Sequence, residues 1–269
     1  MIAHFIYGLH PILLGAFVLS GCVATAILLV LVHRRFVKIM NPDAVDFRIN
    51  IETYSDAFGV ATSILLSLII VSEWGSYNHV SHAMNNELYA LDDLYKFSTY
   101  YDEETKIEIR NNLTKYVDAV IEEEWPLLAY GEKGEKAENY LFNNYNFIHK
   151  NKIENKNQEQ LHITIKKTLE QIIENRRIRL FNSEAILSPI MWIVTLSCIF
   201  ISFMILSFTT RGATQFSLFF QSLFSFGIGL LLLLIIVLNK PFYYGVYYDG
   251  DMSVKSFKNL LKTWREREQ

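Results

Sequence analysis

Four apolar segments decide what this chain can become. Ile12–Val32, Ala57–Trp74, Ile190–Phe208 and Ser217–Leu238 run 18 to 22 residues each, and Glu73, at the margin of the second, is the only charge within them. A helix rises about 1.5 Å per residue, so each segment reaches the ~30 Å of a bilayer's hydrocarbon layer. Pro189 stands where the third segment starts and Pro241 just past the fourth, where a missing N–H is harmless or a stop is wanted. The first segment reads as a span rather than a cleavable signal, because no Lys or Arg precedes it and His33, Arg34 and Arg35 follow it directly. The expected fold is an all-α integral membrane protein, with four transmembrane helices in two pairs flanking a helical extramembrane domain.

Composition alone hides this. Hydrophobic residues make up 51% of the 269, close to a soluble domain, so their clustering decides the class. A formal net charge of -3 and a pI near 6.2 provide no basic field for nucleic acid, which excludes that partner. Cys22 and Cys198 both fall inside spans and read as small packing residues.

The sequence divides into 1–75 (the first two spans), 76–187 (a helical extramembrane domain), 188–240 (the last two spans) and 241–269 (a tail at the membrane surface). After the second span, Glu87, Leu88, Leu91, Leu94 and Tyr95 recur at helical spacing, predicting that the span continues outward as one long amphipathic helix. A further helix is expected from about Asp102 to Trp125, ended by Pro126. The stretch Gly131–Lys136 reads as a solvated turn, and Asn143–Asn157, rich in Asn and Lys, as a polar break. A last helix is expected from near Gln158 through Leu161, Ile165, Leu169, Ile172 and Leu180. No phosphate loop, paired-cysteine site or nucleophile elbow occurs, so neither catalysis, a cofactor nor a metal is expected. His79 and His82 sit three apart, which suits exposed or capping roles better than metal ligation.

Four crossings place both termini and the middle region on one side. The charge rule does not choose that side: Arg176, Arg177, Arg179, Lys240, Lys255 and Lys258 face Arg34, Arg35, Lys38, Arg48 and Arg211.

Several motifs resemble one family. Tyr116–Pro126, with Glu124-Trp125-Pro126 at its end, is similar to the signature of bacterial bestrophin-like domain proteins, a family of unknown function. Phe58-Gly59-Val60-Ala61 resembles the start of their second span, Arg177, Arg179 and Leu180 with Pro189 and Trp192 their approach to the third, and Leu238–Gly245, with Pro241 and Phe242, their exit from the fourth. Asn239 replaces the acid usual there. The resemblance implies a distant relation to bestrophins, pentameric anion channels with cytosolic helical domains. It therefore implies a homo-oligomer, a pentamer first, in a cell inner membrane with its helical domain in the cytoplasm.

Read as residues alone, Glu124, Trp125, Pro126, Pro241, Phe242 and Gly245 are architecture: a helix end, an aromatic anchor and a turn. The second span carries small residues at every fourth position, Ser55, Gly59, Ser63 and Ser67, with Thr62 beside them and Glu73 at the end. The fourth carries Gln221, Ser225 and Gly229 at the same interval. Such faces let helices pack closely. In an oligomer they could instead border an ion path, with Phe58, Ile64 or Leu68 as an apolar constriction. The acid cluster Glu122–Glu124 and the basic cluster Arg176, Arg177 and Arg179 read as solvated faces or as a bridge between helices. Two functions compete: a homo-oligomeric channel for small ions with the second span lining the pore, and a membrane-anchored sensor or scaffold whose helical domain binds a protein partner.

Overall fold

A computed structural model describes residues 10–37, 45–128, 131–150, 156–183, 187–209, 215–245 and 252–268. In chain order the helices are α1 (Pro11–Val37), α2 (Val45–Phe97), α3 (Glu103–Ala119), α4 (Trp125–Leu128), α5 (Lys136–Lys150), α6 (Lys156–Phe181), α7 (Pro189–Thr209), α8 (Gln215–Asn239), α9 (Pro241–Gly245) and α10 (Lys255–Arg267). No strand occurs among the described residues. Among the described residues four helices are long and apolar enough to cross a membrane, in α1, α2, α7 and α8, matching the four apolar segments. As its periodicity predicts, α2 runs on from its apolar stretch to Phe97 without a break.

The chain divides into two compact units, one comprising 1–75 and 187–239, the other 76–186 and 240–269. In the first unit α1 packs on α8 and α7. Ala26, Leu66, Ile69, Ile199, Phe203, Leu232 and Ile235 form its core. Gly229 is required here by close approach: a Cβ at that position would stand 3.1 Å from Leu19 Cδ2 and 3.4 Å from Cys22 Cβ. The Thr62 and Ser202 hydroxyls, 3.1 Å apart, tie α2 to α7. Leu187 N–H donates to Asn239 Oδ1 at 2.7 Å, joining the start of α7 to the end of α8.

The second unit is an aqueous-type fold around Leu91, Leu94, Leu113, Val117, Trp125, Leu169, Ile172 and Phe257. Asp102 caps α3 by accepting from the Thr105 N–H at 3.0 Å, and Glu103 and Glu104 fill the first turn, where the helix dipole favours acids. The expected stop at Pro126 does not occur. Instead a π turn spans Val120–Glu124, closed by the Trp125 N–H on the Val120 carbonyl, and the chain remains helical through Leu128. Pro126 lacks an N–H and its ring crowds the carbonyl four residues back, so the ladder widens by one residue rather than ending. Gly131, at φ 76°, then closes the run: its N–H reaches Leu128 O and the Glu132 N–H reaches Leu127 O, both at 3.0 Å.

Two further expectations are corrected. The Asn- and Lys-rich stretch from Asn143 is helical as far as Lys150, because Ala137, Leu141, Asn144 and Ile148 share one buried face of α5; of the rest of that stretch, 151–155 lie outside the described residues. Of 241–269, read as a tail at the membrane surface, the described residues 241–245 and 252–268 fold into the second unit, whose core takes Phe242, Phe257, Leu261 and Trp264.

Candidate functional site

The second span groups Ser55, Gly59, Thr62, Ser63, Ser67 and Glu73 by sequence spacing, but the structure divides them between two faces. Thr62, Leu66, Ile69 and Glu73 recur at steps of four, three and four and are buried inside the first unit. Ser63 and Ser67 are exposed, together with Ile64 at 55% and Leu68 at 65% exposure. Ser55, Phe58 and Gly59 are half-buried. Adjacent helix residues point about 100° apart, which is how Thr62 turns inward while Ser63 turns out. The two exposed hydroxyls bond back to their own helix, Ser63 to Gly59 O at 2.7 Å and Ser67 to Ser63 O at 2.8 Å. The face is therefore polar without carrying charge.

In α8, Gln221, Ser225 and Gly229 are all buried, and Gly229 meets Leu19 and Cys22. That face packs within the subunit.

A second constellation lies in the second unit. Arg179, wholly buried, donates through Nε to Glu87 Oε2 at 2.8 Å and through Nη2 to Glu87 Oε1 at 3.0 Å. The same Nη2 stands 2.7 Å from Glu124 Oε1. Arg176 Nη2 donates to Glu124 Oε2 at 2.7 Å and to Gly134 O at 3.3 Å. Tyr116 OH donates to Glu87. Gly134 is held against the π turn, where an added Cβ would lie 3.2 Å from Glu124 Cα. Two acids thus face two arginines out of water, and the π turn is what carries Glu124 inward to meet them. Burial works against the Arg179 charge, but Glu87 and Glu124 outweigh it and hold its pKa well above the usual range. Burial, reinforced by the Glu87 charge, pushes the Tyr116 phenol far up, so it stays a donor.

Trp125 seals this cluster. It packs edge-on to Phe242 at 5.5 Å between centroids and tilted against Phe257 at 5.7 Å, and the Arg179 guanidinium lies 5.4 Å from the Phe257 ring. Pro126 is exposed, Pro241 is buried and Gly245 ends α9. Of the two charged runs in the sequence, Glu124, Arg176 and Arg179 form an internal bridge, whereas Glu122 and Arg177 stay in solvent. Glu87 was legible only as a helix-face position, yet a signal existed: it occupies the same apolar stripe as Val80, Met84, Leu91 and Leu94, where a charge demands a partner.

With every carboxylate in it matched to a guanidinium, the cluster offers no free base or nucleophile. Among the described residues no three His, Cys, Asp or Glu side chains converge to hold a metal, and His79 and His82 are exposed.

The architecture is that of a multi-pass helical membrane protein with a helical domain outside the apolar layer. Residues 20–254 match the Bestrophin-like domain, and the chain belongs to that family. Its fold is similar to two crystal structures of a bacterial bestrophin homolog from Klebsiella pneumoniae, each carrying a point mutation. The first has 11% sequence identity and a TM-score of 0.71, covering 94% of this chain and 98% of that one. The second has 10% identity and a TM-score of 0.67, covering 93% and 97%. A crystal structure described as a membrane protein aligns with 11% identity and a TM-score of 0.69, covering 93% and 97%. No curated protein matches it significantly in sequence.

Proposed function

We propose that this protein is a homo-oligomeric channel for small ions, with the exposed face of α2 bordering a path shared between subunits. The supporting observation is that Ser63 and Ser67 stand outside the packed core of their own unit, on an apolar membrane helix. Lipid gains nothing from a hydroxyl-lined face, whereas water or a neighbouring copy does. The interior of the bundle is filled by Leu66, Ile69, Phe203 and Ile235, so a path has to run between copies rather than through one. Ile64 and Leu68, exposed beside the serines, suit an apolar constriction that closes by dewetting. Ser55, Phe58 and Gly59 extend the same helix toward its start. Thr62, Glu73, Gln221, Ser225 and Gly229 are left out of the wall, being used inside the subunit. A pentamer, anion passage, an inner-membrane location and a cytoplasmic helical domain follow by analogy with bestrophins.

The experiment is flux in reconstituted vesicles, with sizing of the same samples. Ser63→Trp is expected to obstruct flux while the oligomer stays intact, and Ser63→Asp to bias passage toward cations, since a ring of charge sets the sign of the field. If both variants instead fall apart as monomers, the face is subunit packing. Wild-type oligomers that pass no ion under any gradient overturn the channel and favour the sensor or scaffold.

A further inference from the structure

Each buried acid of the second unit has an arginine against it; Glu73, in the first, has none among the described residues. Glu73 is 1% exposed, and its Oε2 is buried with no hydrogen-bond partner among the described residues. The tie between Thr62 and Ser202 fixes the register of α2 against α7. Glu73 lies eleven residues beyond Thr62, about 16 Å along the helix, and therefore level with the first turns of α7. At that level α7 carries the half-buried Trp192 and the buried Thr195, whose hydroxyl donates to Met191 O at 2.7 Å.

Among the described residues of the helices packed in this unit none brings a counter-charge to this level; Lys240, the half-buried residue after α8, belongs to the second unit. Described residues of α7 include Cys198 as their one titratable side chain, and those of α8 include none. In α1 the basic groups His33 and Arg35 lie near its end, where His33 meets the Phe208 ring at 4.0 Å, at the opposite margin of the bundle. His10, ahead of α1, accepts from the Ile12 N–H. On α2 itself the nearest acid toward its start is Asp56, seventeen residues or about 25 Å away. A carboxylate held out of water without a partner is among the costliest arrangements a protein can keep, and one that persists inside a membrane bundle marks an ion or proton site.

We propose that Glu73 is a proton-binding site inside each subunit's membrane bundle, apart from the shared path. Occupancy neutralises the acid. Vacancy leaves a negative charge on the buried stripe Thr62, Leu66, Ile69 and Glu73, beside the exposed face that carries Ser63 and Ser67. Resting on the channel reading, the site would tune flux by biasing how α2 seats in its bundle; the binding itself does not depend on that reading.

The test uses the full-length protein in lipid nanodiscs and compares wild type with Glu73→Gln. Infrared difference spectra between acidic and alkaline buffer are expected to contain a protonated-carboxyl C=O band that Glu73→Gln removes. Absence of that band in wild type, or its persistence in Glu73→Gln, overturns the site. Should Glu73→Gln fail to assemble, Glu73→Asp keeps the acid and is expected to shift the band. The band in protein that passes no ions would keep the site and remove the channel.

Discussion

The two units of this chain solve the same problem, polar groups out of water, in opposite ways. In the second unit Glu87, Glu124, Arg176 and Arg179 are buried together and matched, two charges to two. In the first, the buried polar side chains are uncharged apart from Glu73, and several are tied within the unit: Thr195 and Ser225 bond to carbonyls one turn back and Thr62 to Ser202, while neither polar atom of the Gln221 amide has a partner among the described residues. The difference follows from the surroundings. Water around the second unit drives apolar burial, and a matched ion cluster can be carried inside by it. Lipid offers no such drive between helices, so the first unit relies on close approach at small residues such as Gly229. Glu73 is the one buried acid among the described residues of its unit, which is why it invites a positive partner.

Breaking the matched cluster should have the largest effect. Arg179→Met leaves Glu87 and Glu124 buried without their shared guanidinium, and is expected to lower stability by about 3–5 kcal/mol, read as loss of monodisperse protein and an early unfolding transition. Replacing Glu87, Glu124, Arg176 and Arg179 together by apolar residues should cost much less than that single change. If the single variant melts like the parent, the cluster is solvated and the contrast between the units disappears. The corresponding attack on the first unit is steric. Gly229→Val puts atoms into Leu19 and Cys22 and should cost about 1–3 kcal/mol, with the helices of the second unit unaffected by hydrogen exchange.

How much of this could be read in advance depends on distance along the chain. The four spans and the long run of α2 rest on local hydropathy and period, and both are visible in one sequence. The ion cluster pairs Glu87 with Arg179, 92 positions apart, and Glu124 with Arg176, 52 apart, and nothing local joins them. Composition also misled: the Asn-rich α5 still carries Ala137, Leu141 and Ile148 at helical spacing, and the tail hides Phe257, Leu261 and Trp264 at steps of four and three. Which hydroxyl of the Thr62–Ser63 pair turns outward is set by the neighbours of α2, so period alone grouped both as one wall.

The smallest effect concerns how α10 is fastened within the second unit. Trp264 stacks on Tyr95 at 4.7 Å, and its indole N–H donates to Asp92 at 3.0 Å, while Arg267 reaches the same carboxylate at 2.7 Å and Lys96 its other oxygen at 2.7 Å. Burial alone would raise the Asp92 pKa, but the hydrogen bonds from Lys96, Arg267 and Trp264 outweigh it and hold it below its ordinary 3.8. A depressed carboxyl stabilises the folded state above the pKa it has when unfolded, and that contribution fades as pH falls through the folded value. Amide exchange in α10, corrected for its intrinsic pH dependence, should therefore quicken in acid below about pH 4, by a few-fold at most because Asp92 is only partly covered. Asp92→Asn should show the faster exchange at neutral pH and lose this acid dependence. An unchanged profile would mean that the aromatic stack alone fastens the helix, so that the reliance on matched charges is confined to the interior of the second unit and does not extend to its surface.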